Sequence, residues 1–93
     1  MERKFAQAWQ DCRREAQTLG VRMRPVEGDW LKQAQRILSG HRPSDGFDQL
    51  AQKGRLDLTL EALAVRKPFT SLFTDEQANT ALTRLLEAGY GFR

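Results

Sequence analysis

Phe5, Trp9, Cys12, Ala16 and Leu19 recur at spacings of four, three, four and three residues. No other feature of the chain limits its fold so firmly. At 3.6 residues per turn that rhythm puts all five side chains on one face of a helix. Arg3, Gln7, Gln10, Arg14 and Gln17 fall on a neighbouring stripe and are all polar, and Gly20 stands where such a helix stops. Residues 2–19 therefore predict an amphipathic helix whose apolar face needs a cover. A dimer seam would supply one, but Trp9 and Cys12 lie in the stripe and further helices follow in the chain, so an intramolecular core is predicted.

The rest of the chain repeats this pattern in shorter pieces. Residues 21–28 (VRMRPVEG) read as a connector, because Pro25 lacks an N–H and pushes Arg24 toward extended geometry. Asp29 is a suitable N-cap for a second helix carrying Trp30, Ala34, Ile37 and Leu38 on one side and closing at Gly40. After the loop His41–Asp45, Ser44 or Asp45 is expected to cap a short third helix that buries Phe47, Leu50 and Ala51 and stops at Gly54. Leu56, Leu58 and Leu60 alternate with polar residues as in a strand, yet a lone strand has no partner. A helix from about 58 to 66 is predicted instead, ended by Pro68. Phe69, Leu72 and Phe73 form an apolar turn. Thr74 and Gln77 then have capping-box spacing ahead of a last helix with Ala78, Ala81, Leu82, Leu85 and Leu86 at helical intervals and Gly89 beyond its end.

Together these segments predict an all-α fold, a single compact bundle of about five short helices forming one domain over residues 1–93. The chain is 40% apolar and 29% charged, enough non-polar material for one modest core and too little charge imbalance for disorder. Cys12 is the single cysteine, which fits a reducing compartment, and the N-terminus lacks the apolar region of a signal peptide. A cytoplasmic protein with no membrane association is expected.

Inventory argues against catalysis. One His and one Cys on separate segments do not make a zinc site, and no loop alternates oxygen donors for calcium, so no metal and no other cofactor is expected. Cys12 sits on the apolar stripe and reads as a packed thiol, while His41 reads as a solvated loop residue. The local carboxylate pairs Asp45/Asp48, Asp57/Glu61 and Asp75/Glu76 have simpler roles as caps, helix-surface charges and first-turn dipole partners. No phosphate-cradling glycine motif is present. The expectation is a protein without an active site.

Binding is what remains, and two surfaces compete. Phe69, Phe73, Tyr90 and Phe92 lie off the helical stripes, in a turn and a tail, and are the expected hot spots of a protein-protein interface with a regulatory or inhibitory role, the alternative for the tail being to fold back and cover the bundle. The alternative is a nucleic-acid interface. Residues 1–42 hold nine Lys/Arg against five Asp/Glu, whereas residues 43–93 hold six against seven. Arg13, Arg14, Arg22, Arg24, Lys32, Arg36 and Arg42 are the candidate phosphate contacts, though Glu15, Glu27 and Asp29 sit among them. A helix-turn-helix over 58–88 is disfavoured, because its would-be recognition helix carries one cation, Arg84, against three acids.

Overall fold

The first stripe behaves as its spacing requires. In the computed structural model, which describes residues 1–90, α1 spans Glu2–Thr18 and buries Phe5, Trp9 and Ala16, with Cys12 and Leu19 partly covered. The chain leaves α1 through paired end bonds, Gly20 N–H to the Gln17 carbonyl at 3.0 Å and Val21 N–H to Ala16 at 3.1 Å. The connector then runs without regular structure to Asp29, whose carboxylate accepts from the Lys32 N–H at 3.0 Å and caps α2, Trp30–Ser39.

α3, Phe47–Gln52, begins differently from expectation. Its N-cap is Gly46, with φ +79 and no capping side chain, because Ser44 and Asp45 are engaged elsewhere. A Cβ at Gly46 would meet Val21 Cγ1 at 2.7 Å and Met23 Cε at 2.9 Å. The position needs glycine both for its left-handed backbone and for the close approach of the connector.

The alternating leucines form a 3₁₀ turn, Leu56–Leu58, and the helix expected from 58 starts two residues later as α4, Leu60–Ala64. Thr59 makes that break. Its hydroxyl donates back to the Leu56 carbonyl at 2.7 Å and accepts from the Ala62 N–H at 3.1 Å, ending one element and capping the next. A second 3₁₀ turn, Phe69–Leu72, follows the cis Lys67–Pro68 bond. The predicted capping box is formed: Thr74 and Gln77 exchange both bonds at the head of α5, Asp75–Glu87.

The architecture is all-α, five helices and two 3₁₀ turns, with no strand among the described residues. α5 packs against α4 and α2, and α1 packs against α2 and α4. Phe5, Trp9, Leu38, Leu60 and Leu63 fill the main core, flanked by smaller clusters around Leu50 and around Phe47 and Leu85. The molecule measures 28 × 26 × 25 Å. Among the described residues no helix is long and apolar enough to cross a membrane.

Candidate binding cleft

Two of the four proposed protein-binding aromatics are core residues, which corrects the expectation that they are spare. Phe69 and Phe73 are each 8% exposed. The 3₁₀ turn folds the chain back over α1, so both rings meet Phe5 edge-on, at centroid distances of 5.7 and 5.4 Å. Tyr90 is partly buried against the cluster of Phe47, Leu56, Ala62 and Leu85. Phe92 lies outside the described residues.

The basic residues fare differently, and the reason begins in the connector. Val21 is buried, which pins the start of the extended segment against Leu50 and Leu58. Met23, Pro25 and Val26 are left facing α2 across a gap. That gap is a cleft of about 550 Å³. α1 contributes Trp9 and Arg13; the connector gives Met23, Arg24, Pro25 and Val26; α2 gives Gln33 and Ile37. The 40–45 loop and Leu58, Thr59 and Leu60 complete it. Its size is that of ordinary ligand-binding hollows.

Arg13, Arg24 and Arg42, from three separate segments, line this cleft. Two shallower hollows adjoin it, one bringing Arg14 beside Arg13 and the other Arg22 beside Arg24. The structure thus gathers five of the seven proposed basic residues around one surface. Lys32 and Arg36 lie on α2 outside the cleft-lining residues, and Arg14 pairs with Asp11 at 3.7 Å.

Arg13 is the most constrained of them. Its guanidinium lies 5.8 Å from the Trp9 ring centre and 5.9 Å from that of Trp30, and it donates to the Arg24 carbonyl. The two indoles meet edge-on at 5.1 Å. Burial lowers the Arg13 pKa and the nearby Asp45 carboxylate opposes that shift; the group stays cationic. Asp45 also accepts the Arg24 N–H at 3.2 Å, so it braces the connector and is not free to cap α3.

The rim is tied to the core through one carboxylate. Glu61 is fully buried, which corrects its reading as a helix-surface charge. It accepts the Ser44 N–H at 2.9 Å, the Ser44 hydroxyl at 2.5 Å and an Arg84 N–H at 3.2 Å. Arg84 in turn donates to the Ile37 and Gly40 carbonyls at 3.4 and 2.7 Å. One ion pair therefore joins α4, α5, the end of α2 and the cleft loop. Ser44 and His41 share the cleft, and the Ser44 hydroxyl donates into the cleft floor, to the Glu61 carboxylate that Arg84 pairs.

Sequence reasoning missed Met23, Val26 and Ile37 as cleft walls. The available signal was apolar residues in a connector that Pro25 bars from forming a helix. It also missed Leu82 and Leu86, predicted to point inward but 36% and 56% exposed. Among the described residues, no three His, Cys, Asp or Glu side chains gather where they could hold a metal ion. Comparison with protein-family models, with curated proteins and with solved structures finds no match to this chain.

Proposed function

We propose that this protein is a non-enzymatic binding module that holds a protein partner in the cleft between α1, the connector, α2 and the 40–45 loop, in a regulatory or inhibitory role. The observation that supports the reading is the pairing of apolar walls with arginines at one concave site. Interfaces concentrate their binding energy where an apolar anchor fills such a hollow and charged groups surround it. The expected interface built on Phe69 and Phe73 gives way to this one, since rings already packed on Phe5 are not available to a partner.

Nucleic acid is the second reading, favoured by the shared surface of Arg13, Arg14, Arg22, Arg24 and Arg42. It is weakened by the state of the aromatics. Stacking platforms for bases need an open ring face, whereas Trp9 is buried and Arg13 lies over both indoles.

The test is selection of a displayed random-peptide library on the immobilised protein, with the Ile37→Glu variant as counter-target. Because Ile37 also packs against the main core, circular dichroism must first show the variant folded; if it is not, Ile37→Gln takes its place. Enrichment of peptides that the variant no longer holds supports the cleft. No enrichment, or binders indifferent to Ile37→Glu, overturns it. A mobility shift on mixed DNA and RNA at low and high salt examines the second reading, which fails if nothing binds at low salt.

A further inference from the structure

The charges around the cleft do not cancel. Arg13, Arg24 and Arg42 face a single carboxylate among the lining residues, Asp45, and that group already accepts the backbone N–H of Arg24. Glu61, directly behind Ser44, is neutralised by Arg84. The lining keeps an excess of two formal positive charges, three against one. In a concave site with apolar walls such an excess is screened less than on an open surface.

The arginines are also arranged in two states of readiness. Arg13 is held by cation–π contacts with Trp9 and Trp30 and by its bond to the Arg24 carbonyl. Arg24 and Arg42 are exposed, and neither guanidinium makes a hydrogen bond or ion pair among the described residues. Their forks suit carboxylates, which accept two parallel N–H bonds from one guanidinium. In the same cleft Met23 and Ile37 offer an apolar wall, and only an uncharged, bulky group gains by covering it.

Resting on the protein-binding reading above, we infer that the occupant is an acidic segment of the partner carrying one bulky apolar side chain. The apolar group sits against Met23 and Ile37, and flanking carboxylates bind Arg24 and Arg42. Charge complementarity selects this partner over a neutral or basic segment, and the apolar wall selects it over a bare polyanion.

The composition of the peptides enriched in the library selection decides the matter. Acidic residues flanking one Leu, Phe or Trp are expected. An enriched peptide, measured by fluorescence anisotropy, should weaken at least about tenfold when its acids become amides, and comparably on the Arg24→Gln/Arg42→Gln double variant. Both arginines are exposed, so that variant keeps its fold. Its binding should also fall as sodium chloride rises. Enriched peptides that depend on Ile37 but show no acidic bias overturn this inference while leaving the cleft as a protein-binding site. Failure to enrich any peptide removes both.

Discussion

A carboxylate removed from water is tolerable only while its partners remain, and Glu61 has three donors and no solvent. Removing Arg84 leaves that charge uncompensated. Arg84→Met should therefore destabilise the fold by about 3–5 kcal/mol, whereas the double variant Glu61→Gln/Arg84→Met, which removes the charge but keeps an acceptor for Ser44, should recover part of the loss. Urea unfolding of the three proteins measures both effects, and a double variant no better than the single one contradicts the account. Burial is the main cause of the raised Cys12 pKa, with Arg66 opposing. The native thiol thus holds its proton to higher pH than the unfolded chain. Its contribution to stability is present below the unfolded value of about 8.5 and is lost as pH rises through the folded one. Iodoacetamide alkylation should reach half its plateau rate at higher pH in the native protein than in urea; coincident profiles would sink this claim.

Along α5 two kinds of leucine share one helix. Leu85 is fully buried beside Phe47, Leu56 and Ala62, so Leu85→Ala should cost about 2–5 kcal/mol. Leu86 is half exposed one position later, and Leu86→Gln should stay within about 0.5 kcal/mol. Thermal melts of both variants check the contrast. Spacing alone placed Leu82 and Leu86 with the inward stripe, because a 3.6-residue period marks an apolar face without saying how wide the neighbours that cover it are. In this bundle α5 packs against α2 and the five-residue α4, and the edge of the stripe at Leu82 and Leu86 stays exposed. By contrast the first helix, the Asp29 cap and the Thr74/Gln77 box were legible in the sequence, since each depends on residues within one or two turns. Glu61 was not: its partners lie 17 and 23 positions away at Ser44 and Arg84, and no local rule links them.

Across the whole molecule, the cleft lies where the irregular connector, α1, α2 and the 40–45 loop meet, with Val21 anchoring the start of the connector in the core. At Gly46, just after the 40–45 loop, the backbone lies close against Val21 and Met23 of the connector. Gly46→Ala should cost at least about 1–2 kcal/mol from the left-handed backbone alone, with more from the clash against Val21, and should also disturb the cleft. Chemical denaturation gives the first quantity and chemical-shift changes at Met23 and Arg24 the second; a stable variant with unchanged spectra would refute the close approach. The basic surface was partly visible in the sequence as clustered arginines. Its concavity was not, because that follows from how Met23 and Val26 stand against Ile37 in three dimensions.

The bond from the Ser44 amide to Glu61 makes one backbone proton a reporter for the entire rim. Deuterium can replace that proton only when the loop lifts from the ion pair beneath it. An occupant that clamps the loop down must slow the replacement, and Arg84→Met must hasten it, although Arg84 is not among the residues lining the cleft. A single exchange rate would then register both the integrity of the core and the filling of the surface above it.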